Sequence, residues 1–302
     1  MVIAMGFPVM TSSVYAQTSP LGASSTIIPP SASLFADPGQ TLAEQIIVRN
    51  ESGQSQTYNI SSENFTAQGV YGEVALVNGS QSTTYSLAQW ITPGITSFTI
   101  GAHQEKVVPY TINIPNGAEP GGKYGAIVVQ SAAGNTPGAA NVSNSQASLI
   151  LLRVSGDVTE NASITSFKAP SYSEYGPVPI GLEVKDTGDV HIHPQGQIII
   201  TDMFGAKVGE INLNGQDVLP GAERIMTTNW TNKNPIGRFT ATLVATYGTQ
   251  SKALSATTTF IVFPKPLAIG IVVAIAAFIL LCFLVVAGRK RISKALKVIA
   301  QG

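Results

Sequence analysis

A 21-residue run without a charged or amide side chain, Leu267 to Ala287, constrains the fold of this chain more than any other feature. At about 1.5 Å per residue, a helix of this length crosses a hydrocarbon core of about 30 Å. A helix buried in a soluble core normally carries a polar stripe, and this segment has none. The run therefore predicts one transmembrane helix, with the lipid bilayer as a partner through residues 267–287.

The residues that flank this run predict its orientation. Pro264 and Pro266 precede it, and a basic segment without acidic residues follows it, with Arg289, Lys290, Arg291, Lys294 and Lys297. Basic residues next to a span stay in the cytoplasm. We therefore expect a single-pass protein of the cell membrane, with its N-terminal ectodomain outside and residues 288–302 as a cytoplasmic tail. The tail either lies along the inner membrane surface through its helically spaced apolar residues or is simply solvated.

The N-terminal end resembles a secretory signal. An apolar stretch from Val2 to Met10 is followed by the small-residue cleavage pattern Val14-Tyr15-Ala16. The basic residues that usually begin a signal are missing, which a true start upstream of Met1 would explain. The prediction is a signal peptide over residues 1–16 and a disordered linker over residues 17–26.

Composition favours an all-β exported part. Only 11% of the 302 residues are charged, while 29 glycines and 18 prolines indicate many short strands joined by turns. Without the five basic residues of the tail, 12 Lys and Arg face 17 Asp and Glu, a balance of −5 that argues against a nucleic-acid partner. The one cysteine, Cys282, lies in the span, so the exported domains fold without a disulfide.

Alternating apolar residues mark the strands. Clear examples run from Lys106 to Ile114 and from Phe239 to Tyr247, and Pro109 suggests an edge position for the first of these. The turn Val48-Arg49-Asn50-Glu51-Ser52-Gly53 is echoed by Val184-Lys185-Asp186-Thr187-Gly188. We therefore predict two immunoglobulin-like β-sandwiches, over residues 27–157 and 158–263, with residues 134–145 as an exposed hairpin loop of the first.

Catalytic motifs are absent from the sequence, which has three histidines and no recognisable nucleophile motif. We expect no enzyme activity and no cofactor. The residues that most resemble a metal site are Asp186, Asp189, His191 and His193, but a polar turn around Gly188 explains them better. A metal-dependent enzyme at this cluster remains the least favoured alternative.

Exposed aromatic side chains next to polar ones would suit a glycan ligand. The candidates are Trp90 and Tyr85 in a polar stretch, and Lys123 and Tyr124 in the turn Pro120-Gly121-Gly122-Lys123-Tyr124-Gly125. Trp90 could equally be a core residue, and the glycine pair could simply form a tight turn that leads into a strand. These four residues are the predicted ligand-binding set.

Several turn-rich segments together resemble the WxL-interacting protein family of Gram-positive bacterial surfaces. In the first domain the resemblance lies in Asp37-Pro38-Gly39-Gln40 and in Glu119-Pro120-Gly121-Gly122-Lys123-Tyr124-Gly125. In the second it lies in Gly188 to Gly196, in Val218-Leu219-Pro220-Gly221-Ala222-Glu223-Arg224 and in Phe260-Ile261-Val262-Phe263-Pro264. The resemblance implies a first domain that binds peptidoglycan and a second that binds another surface protein or a host component.

The sequence as a whole predicts a non-catalytic membrane-anchored surface protein. Its expected ligand is a cell-wall glycan such as peptidoglycan, another surface protein, or both. The alternative is a chaperone-like or scaffolding module that assembles surface proteins by strand pairing. An unpaired strand near Pro109 would favour that alternative.

Overall fold

The computed structural model describes residues 25–132, 144–213, 215–233 and 235–299, with side chains up to residue 286. The chain divides into two compact units, of which the first comprises residues up to Phe65 and Leu76–Ser155, and the second comprises Thr66–Ala75 and residues from Gly156 onward. Each unit is an immunoglobulin-like β-sandwich, and one apolar helix follows, which confirms the predicted fold class. The predicted signal peptide and most of the predicted loop over residues 134–145 lie outside the described residues.

The first unit contains a four-stranded sheet in the order β1-β3-β8-β6. It packs against a second sheet in the order β2-β10-β9-β4-β5, in which β7 also pairs with β4. The strands of these two sheets are β1 (Ser25–Ile28), β2 (Ser31–Ala36), β3 (Thr41–Asn50), β4 (Gln56–Gln68), β5 (Glu73–Val77), β6 (Ile91–Pro93), β7 (Ser97–Ile100), β8 (Glu105–Asn113), β9 (Gly121–Ser131) and β10 (Ser145–Val154), with a 3-10 turn at Ala88–Trp90. The end of β4 and the start of β5 fall within Thr66–Ala75, which is grouped with the second unit.

The first strand of the chain changes sheets. β1 pairs antiparallel with β3, and after Pro29 and Pro30 the chain continues as β2, which pairs parallel with β10. The predicted linker over residues 17–26 is wrong at its end, because Ser25 and Thr26 pair with Asn50 and Arg49. Their place in the ladder is secured by Ile27, whose side chain is buried in the core.

The alternation predicted in β8 is confirmed, but the edge position of Pro109 is wrong. Val108, Tyr110 and Ile112 are buried on one face of the strand. β8 is a central strand between β3 and β6, and Pro109 pairs with Gln45 on the β3 side. The carbonyl of Pro109 accepts a hydrogen bond from Gly94, just beyond the end of β6. The ring nitrogen of Pro109 points to the same side of the strand as its carbonyl. Proline has no N–H to donate, and this position lies where β6 has already ended.

The second unit contains a three-stranded sheet in the order β11-β13-β16 and a five-stranded sheet in the order β12-β18-β17-β14-β15. The strands are β11 (Ala162–Lys168), β12 (Tyr172–Ser173), β13 (Val178–Asp186), β14 (Gln195–Asp202), β15 (Lys207–Leu213), β16 (Glu223–Trp230), β17 (Gly237–Tyr247) and β18 (Lys252–Val262). The alternation predicted from Phe239 to Tyr247 is confirmed by the alternate burial of β17.

The core of the second sandwich contains a cluster of three aromatic rings. The ring of Trp230 lies edge-on to Phe239 at 4.9 Å and to Phe260 at 5.8 Å between centroids. All three side chains are buried among the aliphatic residues of both sheets. Edge-to-face pairs of this kind stabilise a core beyond the burial of their apolar area. Because Trp230 comes from one sheet and the two phenylalanines from the other, the cluster links the two sheets.

The C-terminal element is helix α1 (Lys265–Ile299). Its segment Lys265–Val286 is long and apolar enough to cross a membrane, and none of that segment is buried against the rest of the protein. The helix continues past residue 287 through the basic segment that the sequence assigned to a tail. An apolar segment with hydrophobic side chains all round and none of them buried against protein is typical of a lipid environment.

Candidate functional site

The outer edge of β2 is the first candidate site. β2 ends its sheet, and its only strand partner among the described residues is β10. The carbonyls of Pro30 and Ala36 accept hydrogen bonds from Leu149 and Ser155, both on the β10 side. Backbone groups alternate in direction along a strand, so those of Ser31, Ser33 and Phe35 point away from β10.

The composition of β2 leaves this edge open to another strand. Its six residues, SASLFA, include no charged residue and no proline, and the Phe35 side chain is 61% exposed. Natural edge strands are usually protected from pairing by charge, proline, a bulge or short length. β2 has neither a charged residue nor a proline, and its register with β10 contains no bulge.

The other edge strands of the described sheets are protected. β1, β6, β7 and β12 have four residues or fewer. β5, β11, β15 and β16 each contain at least one charged residue, and β11 and β15 also carry register shifts. β2 is therefore the described edge best suited to strand addition.

The second candidate site is a cavity of about 260 Å³ in the first unit. It is lined by residues of two segments and by Lys123, namely Ser82, Thr83, Thr84, Ser86, Gln89 and Trp90, and Pro115, Gly117, Ala118 and Glu119. The lining contains four hydroxyl side chains and the amide of Gln89, with Trp90 as its aromatic member. Such a mixture suits a small polar ligand that has one apolar face.

Asn64 organises the segment that forms this cavity. Its side-chain oxygen accepts hydrogen bonds from the backbone N–H groups of Leu87 and Ala88, both at 2.9 Å, and its amide donates to the carbonyl of Gln81. Asn64 is buried, so these bonds are shielded from water. Sequence reasoning missed this residue, because the partners are 17 to 24 positions away and no local pattern marks them.

The structure brings two of the four predicted ligand-binding residues to the cavity. Trp90 lines it while packing partly against the core. Lys123 also lines it, and its ammonium group donates to the carbonyl of Thr84 at 2.5 Å. Burial lowers the pKa of Lys123, and the nearby charge of Glu119 opposes that shift.

Tyr85 and Tyr124 lie together outside the cavity lining. Their ring centroids are 6.0 Å apart, and the backbone N–H of Tyr124 donates to the carbonyl of Tyr85 at 2.7 Å. Tyr124 is buried against Phe65, whereas Tyr85 is partly exposed. A role for these four residues in binding stays a prediction, and Tyr124 is placed to support the loop rather than to touch a ligand.

The residues proposed as a possible metal cluster have other partners in the structure. His193 Nδ1 lies 2.8 Å from a carboxylate oxygen of Asp217, while Asp189 accepts a hydrogen bond from the backbone of Thr159. In the part of the chain that the structure describes, no three His, Cys, Asp or Glu side chains are grouped to hold a metal. The turn around Gly188 instead contains the hydrogen bond from the Gly188 N–H to Asp186.

The basic residues that predict orientation all fall within the last part of α1, where the structure describes only the backbone. They are Arg289, Lys290, Arg291, Lys294 and Lys297. They follow the apolar segment in an unbroken helix. The membrane orientation that they indicate stays a prediction.

No family model matches this chain, and no curated protein matches it. Similar solved structures include the chaperone–tip adhesin complex of CFA/I fimbriae (13% identity, 78% of this chain, 99% of that chain, TM-score 0.41). Others are the class 5 fimbriae chaperone CfaA (13%, 78% and 99%, TM-score 0.40) and the CsuC–CsuE pre-assembly complex of Csu pili from Acinetobacter baumannii (12%, 79% and 98%, TM-score 0.38). TM-scores at this level are too low to carry a function from those proteins to this chain.

Proposed function

We propose that this chain is a non-catalytic, membrane-anchored module that binds an extended segment of a protein partner by strand addition. The observation that supports the proposal is the uncharged outer edge of β2, which no strand in the described part of the chain covers. Outward N–H and C=O groups on alternate residues form a row that an incoming strand can pair with. Helix α1 would anchor the module to the membrane.

The side chains of β2 indicate what kind of segment would fit. Leu34 packs partly against the core, whereas Ser33 and Phe35 are exposed on the opposite face. A segment of about six residues that alternates apolar and polar side chains would extend both faces of the sheet. A subunit of another surface protein is the class of partner that we propose; the fimbrial complexes named above pair a chaperone with a tip adhesin.

A peptide selection tests the proposal directly. Full-length protein in lipid nanodiscs is used to select binders from a library of extended peptides with alternating apolar and polar positions. Each binder is then measured against Ser33→Pro, which removes one outward N–H, and against Ser33→Ala, which keeps it. We expect binding to weaken at least about tenfold with Ser33→Pro, about 1.4 kcal/mol, and to be unchanged with Ser33→Ala.

N-methylation of the peptide provides a second, independent readout. Methyl groups on alternate backbone nitrogens block one edge of a strand while leaving the other edge free. Two versions of each peptide are compared, one methylated on the odd-numbered and one on the even-numbered backbone nitrogens, which are the two methylation phases. Binding should be lost with one phase and kept with the other. Binders that tolerate Ser33→Pro and both phases would show that β2 is not the site.

A glycan ligand in the Trp90 cavity is the second candidate function, favoured by the polar lining and the aromatic wall of that cavity. The resemblance to WxL-interacting proteins would make that glycan peptidoglycan. Gln89 lines the cavity and is exposed, so Gln89→Ala is a change that folding should tolerate. Retention of full-length protein on insoluble peptidoglycan, reduced by Gln89→Ala but not by Ser33→Pro, would support this candidate, and no retention would exclude it.

A further inference from the structure

The second sandwich is joined to α1 by a very short connection. β18 ends at Val262 and the helix begins at Lys265, so only Phe263 and Pro264 lie between them. Two residues span at most about 7 Å. If α1 crosses a membrane, this end of the sandwich must therefore lie at the membrane surface.

A strap of residues 171–174 fixes that connection. The hydroxyl of Tyr172 donates to the carbonyl of Phe263 at 2.6 Å, and the N–H of Phe263 donates to the carbonyl of Ser173 at 3.0 Å. The ammonium group of Lys265 pairs with the carboxylate of Glu174 at 2.5 Å. The helix is thus held against the end of the sheet rather than hanging from a loose linker.

Strand register brings a hairpin turn to the same end of the sheet. Gly237 pairs with Val262, and two residues further along β17, Phe239 pairs with Asp202 at the end of β14. Continuing this register places residue 204 level with Gly237 and Val262. The β14–β15 turn therefore projects towards the side on which the chain enters α1.

This turn presents two apolar side chains to solvent. Met203 is 67% exposed and Phe204 is 86% exposed. The carboxylate of Asp202 accepts hydrogen bonds from the backbone N–H groups of Phe204 and Ala206, both at 2.9 Å. Because these bonds order the turn, the two side chains are held outward at the tip of the hairpin.

Further apolar and basic residues lie at the same end. Ile236, just before Gly237, and Tyr175, just after the strap, are 53% and 47% exposed. Lys233 and Arg238 lie in and next to the loop that contains Ile236, and both are exposed. Apolar tips accompanied by aromatic and basic side chains are typical of surfaces that sit at the lipid headgroup level.

We propose that this end of the second sandwich, formed by the 203–206 turn, Ile236 and Tyr175, inserts into the interfacial layer of the bilayer. The inference rests on the proposed membrane anchoring by α1. The occupant is lipid because the two-residue connection leaves no room for another layer between the sheet and the membrane. Lys233 and Arg238 would contact anionic headgroups. The sandwich would then be held in a defined orientation on the membrane, with the opposite end of the sheet facing away.

Single-cysteine labelling in vesicles tests the inference. Cys282 is replaced by Ala, and the full chain carrying either Phe204→Cys or Gln250→Cys is labelled with a nitroxide and reconstituted in vesicles of phosphatidylcholine and phosphatidylglycerol. Position 250 lies in the turn at the opposite end of the same sheet and serves as the control. The accessibility of each label to dissolved oxygen and to a water-soluble nickel complex is measured by power saturation.

We expect the label at position 204 to be severalfold more accessible to oxygen than to nickel, and the label at position 250 to show the reverse preference. Equal preference for nickel at both positions would overturn the inference. Resistance of the same vesicles to alkaline carbonate extraction reports anchoring separately. Protein that resists extraction with a water-exposed label at 204 contradicts only the docking, whereas protein that is extracted contradicts the anchor.

Discussion

Asn50 and Asp186 occupy matching positions at the ends of β3 and β13, and they show how one side-chain atom alters a repeated turn. In each turn, the side-chain oxygen accepts a hydrogen bond from the backbone N–H of the residue two positions later. The distance is 3.0 Å from the Ser52 nitrogen to Asn50 and 2.7 Å from the Gly188 nitrogen to Asp186. The amide of Asn50 also donates to three backbone carbonyls. Asp186 has no amide, and its second carboxylate oxygen is buried without a hydrogen-bond partner among the residues that the structure describes.

Burial raises the pKa of Asp186 from 3.8 to about 7; the N–H of Gly188 opposes this shift and the charge of Asp189 adds to it. The folded state therefore keeps its proton to a higher pH than the unfolded state does. The second sandwich should lose stability as pH rises from about 4 to about 7 and then level off. Asp186→Asn should abolish this loss and stabilise the second sandwich at higher pH by about 1–3 kcal/mol. Urea unfolding across this range measures it, and an unchanged pH dependence in the variant would contradict it.

The reciprocal change, Asn50→Asp, should destabilise the first sandwich. The new carboxylate would face the carbonyls of Gln54, Ile100 and Gly101, which now accept hydrogen bonds from the amide. We expect a loss of about 2 kcal/mol or more at neutral pH, smaller in acid, because a charged group would be buried among acceptors. Thermal unfolding of the variant at two pH values provides the measurement, and wild-type stability at neutral pH would be incompatible with this account of the turn.

At the scale of strands and turns, the sequence predicted what depends on local pattern and missed what depends on distant partners. The alternation of β8 and β17 follows from side chains two residues apart, so it was predicted correctly. The edge position of Pro109 was wrong because the end of β6, more than ten residues earlier, accommodates the missing N–H. The open edge of β2 could not be predicted, since its pairing with β10 joins residues more than 110 positions apart.

The strap of residues 171–174, which includes β12, should matter for the local connection to α1 and little for the global stability of the protein. Tyr172→Phe removes the hydrogen bond to Phe263, and Glu174→Gln weakens the ion pair with Lys265, which is largely exposed. We expect faster hydrogen exchange at the Phe263 amide and a change in global stability of about 1 kcal/mol or less. Tyr175→Phe is the matched control, because Tyr175 lies next to the strap and is exposed. Unchanged hydrogen exchange at the Phe263 amide, in a variant that carries both Tyr172→Phe and Glu174→Gln, would show that the strap does not hold the connection between β18 and α1.

At the scale of the whole molecule, the sandwiches and the helix are separate in their packing. None of the apolar segment of α1 is buried against protein, while each sandwich has its own core. The long apolar run was predictable from sequence alone because membrane crossing depends on length and composition. The cavity beside Trp90 was only partly predictable, because Asn64 shapes it through contacts with distant residues.

Removal of the helix should leave both sandwiches folded. A chain that stops after Pro264 is expected to remain in solution without detergent and to keep the β-type circular dichroism of the full chain. Its melting temperature should agree within a few degrees with that of the full chain, because the core loses no buried apolar area. A lower melting temperature or exposure of hydrophobic surface would show that α1 contributes to the fold.

Hydrogen exchange of the backbone amides in β2 tests the central claim most directly. Full-length protein in nanodiscs is compared with and without a selected peptide, and protection is resolved residue by residue. Strand addition predicts slower exchange at the outward amides of Ser31, Ser33 and Phe35, with little change in the amides that face β10. Protection confined to the segment from Thr83 to Trp90, with β2 unchanged, would contradict strand addition and place the peptide at the cavity.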